Sequence, residues 1–155
     1  MTKTIKSQRQ LPLGKKHSVY LASPFFRPDQ IERVELVENL LEEYNYSYFS
    51  PRKELVCPPN ATHEQRKKTF KGNHDGIVNA EMVIAITDGK DVGTIWEMGV
   101  AYEAGVPVIG VALTLGDNPF NLMLSESCFT TLRTIDELEK FLDTNEAVYY
   151  QGEIE

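Results

Sequence analysis

The chain has 155 residues, enough for one domain with a sizeable hydrophobic core. Hydrophobic residues make up 41% of the sequence and charged residues 25%, as in an ordinary globular protein. The net charge of −7 argues against a nucleic-acid polymer as partner, because no basic stripe is present that could replace counterions on a phosphate backbone.

The cysteines and histidines do not form a pattern typical of a metal site or a disulfide framework. Cys57 and Cys128 lie far apart, and no two of the three histidines share a ligand spacing. A glycine-rich phosphate loop is absent from the sequence, so neither a metal nor another cofactor is expected. The first residues lack the apolar segment of a signal peptide, and no apolar run is long enough to span a membrane. We therefore expect a cytoplasmic protein without membrane contact.

The predicted elements begin after a polar and basic stretch, residues 1–16, which we interpret as a flexible leader to a single domain over residues 17–155. Apolar residues recur with helical period after Pro28, which predicts a helix to about Tyr44. The other elements predicted in chain order are strands at His17–Ala22 and Tyr46–Phe49, a long loop at Arg52–Thr62, a helix at Thr62–Asn79, strands at Met82–Thr87 and Val106–Ala112 on either side of a helix that contains Glu97, a short helix at Phe120–Leu124, a strand at Phe129–Leu132 and a helix from Thr134 to Leu142.

Strands and helices alternate along the whole chain, which predicts a five-stranded parallel sheet with helices on both faces. Such sheets place reactive groups at the carboxyl ends of their strands. Carboxylates occupy this position here, since Asp88 and Asp91 follow an apolar strand and Glu97 lies in the next helix. Acids gathered at such a crevice suit a reaction with a cationic, sugar-like transition state.

Glu97 has two interpretations from spacing alone. Thr94 and Glu97 fit a capping box, with Thr94 as the N-cap and Glu97 returning to its amide. Alternatively, Glu97 shares one helical side with Ala101 and Ala104, where small side chains leave room for a ligand and reduce the solvation of a carboxylate. The second environment suits a nucleophile or a tuned acid.

Four ordered segments resemble the nucleoside 2-deoxyribosyltransferase family, and the resemblance covers nearly the whole chain from about Ser18. These segments are Val19–Phe26 with Gln30, Asn73–Ile77, Asp91–Tyr102 and Asn121–Met123. The resemblance implies base exchange on 2′-deoxyribonucleosides in two displacement steps, with Glu97 as the nucleophile that holds the deoxyribosyl group. It also implies that Asp91 contacts the base or sugar and that Tyr20 hydrogen-bonds the nucleophile. From the residues alone, Asp91 could be a solvated turn residue and Tyr20 a packing residue of the sheet.

Further substrate-binding residues are implied by the same resemblance. Asn73 occupies the position where the family usually has an aspartate, so the group that protonates the leaving base stays open. Asp75 could serve there only if the backbone shifted, and Asp88 has the right location at a strand end but a weaker motif match. The aromatic pair Phe25 and Phe26 would form a pocket wall, although aromatics after a strand are more often core residues.

The resemblance also implies an oligomer with shared sites. Asn121 and Met123 belong to a motif that completes a neighbouring subunit's site in the family, although an asparagine here is otherwise a common helix cap. Tyr150 could replace the family's terminal tyrosine, which also contributes to a neighbour's site. The tail that contains Tyr149 and Ile154 is apolar enough to dock on a partner.

The expectation is therefore a flavodoxin-like, doubly wound α/β enzyme without a cofactor, which binds deoxynucleosides and free nucleobases and forms a homo-oligomer. One alternative is a hydrolase that cleaves deoxynucleoside 5′-monophosphates. Another is a non-catalytic nucleotide-binding module, because a fold alone does not establish activity.

Overall fold

The structure, a computed structural model, describes residues 11–155. Its strands are Val19–Ala22 (β1), Tyr48–Phe49 (β2), Met82–Ile86 (β3), Val108–Val111 (β4) and Thr130–Leu132 (β5). Its helices are Pro28–Glu43 (α1), Pro51–Glu54 (α2), His63–Asn79 (α3), Val92–Glu103 (α4), Leu122–Ser127 (α5) and Ile135–Thr144 (α6).

The five strands form one parallel sheet in the order β2-β1-β3-β4-β5. This confirms the predicted fold class, a doubly wound sheet of the flavodoxin-like type. The order reverses between β1 and β3, so the loops that follow these two strands diverge and leave a crevice at the carboxyl edge of the sheet.

Each face of the sheet has its own hydrophobic core. On one face, α1 and α6 contribute Val37, Leu41 and Phe141 to a cluster with alternate strand residues such as Ile84. The other face carries α3 and α4, and its buried cluster consists of Tyr20, Ala22, Ile77, Ala80, Val83, Ala85, Met98, Ala101, Val106 and Val108. Side chains alternate along a strand, so Tyr20 and Ala22 of β1 both point to the α3–α4 face.

Two sequence-based expectations differ from the structure at the start of the domain and after β2. Residues 1–10 of the predicted leader lie outside the described part of the chain, and the leader's remaining residues form no helix or strand. Leu11, however, is buried against the α1–α6 core. The predicted loop from Arg52 was wrong at its beginning, because Pro51–Glu54 forms the short helix α2.

A long-range contact explains α2. The buried carboxylate of Glu38 on α1 accepts hydrogen bonds from Ser50 Oγ at 2.7 Å and from Arg52 Nε at 2.9 Å. These bonds fix the first turn of α2 against α1, and local sequence signals contain no trace of them.

Within residues 11–155, no helix combines the length and the apolarity needed to cross a membrane.

Candidate active site

A tyrosine–glutamate pair lies between the sheet and α4. Tyr20 on β1 is completely buried, and its hydroxyl donates a short hydrogen bond to Oε2 of Glu97, which is partly buried on α4. The structure therefore brings together two residues that are 77 positions apart in the sequence. The two side chains are within hydrogen-bonding distance, which is the distance that a relay between side chains requires.

The ring of Tyr20 is held on both sides by residues that the sequence analysis did not single out. Phe49 of β2 is its partner in the parallel register and stacks on it, with ring centroids 5.6 Å apart and planes at 13°. Across the ring lies Gly76 of α3, where an added Cβ would come within 3.1 Å of the Tyr20 ring. A glycine inside a helix lowers stability, so its presence at position 76 was the one feature of the sequence that could have indicated the close approach of α3 to the Tyr20 ring.

The environment changes the acidity of both groups. The pKa of Glu97 is raised to about 7, mainly by burial and to a smaller extent by the carboxylate of Asp91, while the hydrogen bond from Tyr20 acts in the opposite direction. Burial and the nearby Glu97 carboxyl raise the pKa of Tyr20 well above its usual value, so Tyr20 remains a hydrogen-bond donor. At neutral pH the site thus contains a carboxyl that is poised between its protonated and ionised forms.

Asp91 begins the helix that carries Glu97. Its carboxylate accepts hydrogen bonds from the backbone N–H of Thr94 at 2.9 Å and from Thr94 Oγ1 at 3.1 Å, which makes Asp91 the N-cap of α4. The capping box predicted for Thr94 and Glu97 was therefore wrong. Asp91 reaches the amide three residues ahead, so α4 starts at Val92 and Glu97 lies in its second turn, free of any capping role.

Asp88 joins two loops at the carboxyl edge of the sheet. Its buried carboxylate accepts hydrogen bonds from the N–H of Leu113 at 3.1 Å, from the N–H of Thr114 at 2.6 Å and from Thr114 Oγ1 at 2.7 Å. The predicted substrate-binding residue Asp88 is thus engaged by the loop after β4. These bonds give Asp88 a structural role at the crevice, and its contact with substrate stays a prediction.

A cavity of about 590 Å³ opens beside these loops. Asp88, Asn121, Met123 and Glu155 line it, whereas Tyr20 and Glu97 do not. The cavity of the single chain thus reaches Ile95 of α4 but does not include the reactive pair, whose chemistry is defined by a hydrogen bond and a changed pKa.

Comparison with known proteins identifies the family. A sequence model of the family described as nucleoside 2-deoxyribosyltransferase matches residues 19–124, which is more than half of the chain. The chain belongs to this family.

Solved structures agree with this assignment. A 2-deoxyribosyltransferase from the psychrotolerant bacterium Bacillus psychrosaccharolyticus is 28% identical and has a TM-score of 0.72, with 82% of this chain and 96% of that chain covered. A conserved protein from Enterococcus faecalis V583 is 18% identical, with a TM-score of 0.66 over 83% of this chain and 98% of its own. A 2-deoxyribosyltransferase from Leishmania mexicana is also 18% identical, with a TM-score of 0.51 over 73% of each chain. The last two comparisons concern the fold alone, and none of the curated proteins matches the sequence.

In this member of the nucleoside 2-deoxyribosyltransferase family, Asn73 and Asp75 lie on different sides of α3. Asn73 is four residues before the buried Ile77 and shares its sheet-facing side. Asp75 lies toward solvent, where its carboxylate binds the ammonium group of Lys71. Asp75 could act at the position of Asn73 only if the backbone shifted, and α3 shows no such shift, since it is one helix from His63 to Asn79.

The aromatic pair after β1 does not join the reactive pair of this deoxyribosyltransferase family member. Phe25 packs against the α1–α6 core, on the face of the sheet opposite to Glu97. The side chain of Phe26 is 74% exposed, and its ring lies 5.0 Å from that of Phe25.

Asn121 and the tail make contacts within their own chain. The Oδ1 atom of Asn121 accepts from the N–H of Leu124 at 3.2 Å and caps α5, as the capping alternative expected. Tyr150 is buried in an edge-on contact with Phe120, at 5.6 Å between ring centroids. Backbone hydrogen bonds then join Phe120 to Glu153 and Glu155. The tail therefore packs on its own subunit through Tyr150 and its backbone, while Tyr149 stays 70% exposed and its docking on a partner stays a prediction.

Across the described residues 11–155, no group of three or more side chains is arranged to hold a metal ion.

Proposed function

We propose that this protein transfers the 2-deoxyribosyl group between bases of 2′-deoxyribonucleosides by double displacement. The observation that carries the proposal is the hydrogen bond between Tyr20 and Glu97 in a member of this family, together with the pKa of Glu97 near 7. A partly buried carboxyl with a pKa near 7 is available in its ionised form at neutral pH, which suits a nucleophile, and its hydrogen bond fixes the direction of attack.

In the first step, Glu97 attacks C1′ of the nucleoside. The C1′–N bond breaks, the base leaves with the bonding electron pair and gains a proton, and the sugar becomes an ester on Glu97. The transition state resembles an oxocarbenium ion, so a nearby anion stabilises it more than it stabilises the neutral ground state. In the second step, a nitrogen of a free base attacks C1′, releases Glu97 and loses its proton.

Tyr20 and Asp91 have supporting roles in this proposal. Tyr20 orients Glu97 and stabilises its ionised form, because its hydroxyl donates to the carboxylate. Asp91 caps α4 and lies close enough to raise the pKa of Glu97, which suits a residue that contacts the sugar or base at C1′. No cofactor is required for this chemistry.

Intact-mass analysis after brief exposure to a deoxynucleoside tests the mechanism. The wild-type protein should gain the mass of one deoxyribosyl group, and the Glu97→Ala variant should not. Base exchange should fall by roughly 10³-fold or more in the variant, as for other deletions of a nucleophile. Circular dichroism should show an unchanged fold, since Glu97 does not cap α4.

Measurements of base release and base exchange separate the alternatives. Release of base from a deoxynucleoside 5′-monophosphate without an acceptor base would indicate a hydrolase. Near-wild-type exchange by the Glu97→Ala variant would refute the assignment of the nucleophile, and absence of any turnover in the wild type would favour a non-catalytic module.

We also propose that the protein is a homo-oligomer in which Asn121 and Met123 complete a neighbouring subunit's site. Both residues line a cavity apart from Glu97 of their own chain, and the Met123 side chain is 74% exposed. Met123→Glu should dissociate the oligomer and raise KM, as measured by sedimentation and exchange kinetics. A fully active wild-type monomer would contradict this idea. The two cysteines are free thiols, which agrees with the cytoplasmic location that we also propose.

A further inference from the structure

Glu38 is a buried charge on α1, the helix that packs on the face of the sheet opposite to the reactive pair. Besides its bonds from Ser50 Oγ and Arg52 Nε, its carboxylate binds the second branch of the Arg52 guanidinium, and Lys53 Nζ lies 3.4 Å away. Burial acts to raise the pKa of Glu38, but the hydrogen bonds from Arg52 and Ser50 outweigh it and lower the pKa. The carboxylate is therefore ionised at neutral pH.

A buried ion pair of this kind is weak evidence for a role in stability. Replacing such a pair by apolar residues often leaves a protein equally stable or makes it more stable, because both charges lose their hydration in the folded state. What the pair does supply is a fixed geometry, since a guanidinium and a carboxylate that meet at two points have a defined orientation. The question is therefore which part of the molecule the pair of Glu38 and Arg52 orients.

The residues that Glu38 holds come directly after Phe49, which stacks on Tyr20. β2 is two residues long and lies at the edge of the sheet, so its ladder with β1 alone holds it weakly. Side chains alternate along a strand, so Phe49 points toward α3 and Tyr20, whereas Ser50 points toward α1. Glu38 thus anchors the carboxyl end of β2 from one face, while Phe49 meets Tyr20 on the other.

The same segment, residues 49–55, is also seated on α3. An added Cβ at Gly76 would come within 3.6 Å of the Phe49 ring, and an added Cβ at Gly72 would collide with the side chain of Leu55. Gly72 and Gly76 are one helical turn apart, so α3 receives the segment at two positions without side chains. Residues 49–55 therefore bridge α1 and α3 and pass along the ring of Tyr20.

We propose that Glu38 is a positioning residue for the reactive pair. It acts from the other face of the sheet, through residues 49–55, and this inference rests on the proposed transferase function. Without its anchor on α1, the segment lets the Phe49 ring move, and the Tyr20 hydroxyl then holds the Glu97 carboxylate less firmly. Attack on C1′ starts from a wider range of carboxylate orientations, which slows it.

Glu38→Gln and Arg52→Gln test the proposal from the two sides of the ion pair. Glutamine at position 38 keeps the shape of the side chain and an oxygen that can accept from Ser50, but it loses the charge that holds the guanidinium. Both variants should lower kcat of base exchange by on the order of tenfold. Glu32→Gln is the matched control, because Glu32 is exposed on the same helix, and its kcat should equal that of the wild type.

The titration of Glu97 separates positioning from a general loosening of the fold. Tyr20 and Asp91 are titratable groups that act on Glu97, and the hydrogen bond from Tyr20 lowers its pKa. If that bond weakens, the midpoint of the titration should rise by about half a pH unit or more in Glu38→Gln. A loosened fold would instead admit water and lower the midpoint, because burial is the main cause that raises it.

NMR titration of the Glu97 carboxyl carbon, in protein with isotopically labelled glutamate, measures this midpoint without turnover. In a Tyr20→Phe background, Glu38→Gln should cause no further rise, because the hydrogen bond through which it acts is already absent. Arg52 is partly exposed, so Arg52→Gln allows the same measurements even if Glu38→Gln does not fold.

An unchanged or lowered midpoint in both variants, or a rise that is equally large in the Tyr20→Phe background, would overturn the role of Glu38. Base exchange by the wild type would leave the transferase function standing in that case. A raised midpoint in a protein without any base exchange would support the positioning role of Glu38 and refute the transferase function.

Discussion

Replacing Glu97 by glutamine should make the protein more stable at alkaline pH, although it removes the proposed nucleophile. In the unfolded chain the carboxyl titrates near the ordinary glutamate pKa of 4.5, whereas in the folded protein burial raises its pKa to about 7. Between these two values the folded state binds more protons than the unfolded state. The free energy of unfolding therefore falls as pH rises through this range.

The magnitude follows from the two pKa values. At 1.36 kcal/mol per pH unit, the rise from 4.5 to about 7 corresponds to about 3 kcal/mol. The contribution is fully present below pH 4.5 and is lost once the pH exceeds 7. Glutamine keeps an oxygen that can accept the Tyr20 hydrogen bond, but it never ionises. The stability of Glu97→Gln relative to the wild type should therefore grow by about 2.5 kcal/mol from pH 5 to pH 8.

Urea unfolding at several pH values measures this difference. Glu103→Gln is the matched control, because Glu103 lies on the same helix and is exposed. Its relative stability should stay nearly constant over the range. Parallel stability curves for Glu97→Gln and the wild type from pH 5 to pH 8 would refute the view that the folded protein destabilises the ionised Glu97.

Three other changes have expected outcomes. Tyr20→Phe removes the hydrogen bond that lowers the pKa of Glu97, so the midpoint of the pH–rate profile for exchange should move above 7; an unmoved midpoint would contradict the proposed role of Tyr20. Asp88→Ala leaves two loop amides without their acceptor and should cost about 3 kcal/mol in urea unfolding, and a loss below about 1 kcal/mol would show that the loops hold without it. Tyr150→Ala removes a buried ring from its contact with Phe120 and should also cost about 3 kcal/mol, unless the tail is detached in solution.

The order and type of the main elements could be predicted from the sequence, because each depends on local periodicity and on turn residues. The apolar runs at Met82–Ile86 and Val108–Val111 have the short length and β-branched residues of buried strands, and Pro28 starts α1 with its fixed backbone angle. The helix α2 was missed although Ser50 and Pro51 are ordinary helix-start residues, because its four residues are too few to show a helical period and contacts with Glu38 on another helix hold it in place.

The residues of the candidate site that belong to a family motif could be predicted from the sequence. The pairing of Tyr20 with Glu97 followed from the family resemblance, and the fold explains it through the stacking of Phe49 and the absence of a side chain at Gly76. The interpretation that placed the cap of α4 at Thr94 was wrong, because Asp91 and Thr94 are both good N-cap residues and only the backbone decides between them. The amino-acid composition of the tail also could not show that Tyr150 packs on Phe120 of its own chain, because composition does not indicate which surface an apolar segment will contact.

The bonds of Asp88 have a consequence for attempts to alter the protein by exchanging segments. The loop after β3 and the loop after β4 are separate in the sequence, yet one carboxylate ties the first to two backbone amides of the second. The two loops therefore behave as one mechanical unit. If only one of the two loops came from a relative, either the Asp88 carboxylate or the two backbone amides that it accepts from would be replaced without the matching partner. Recombination between family members should therefore succeed when both loops come from the same parent.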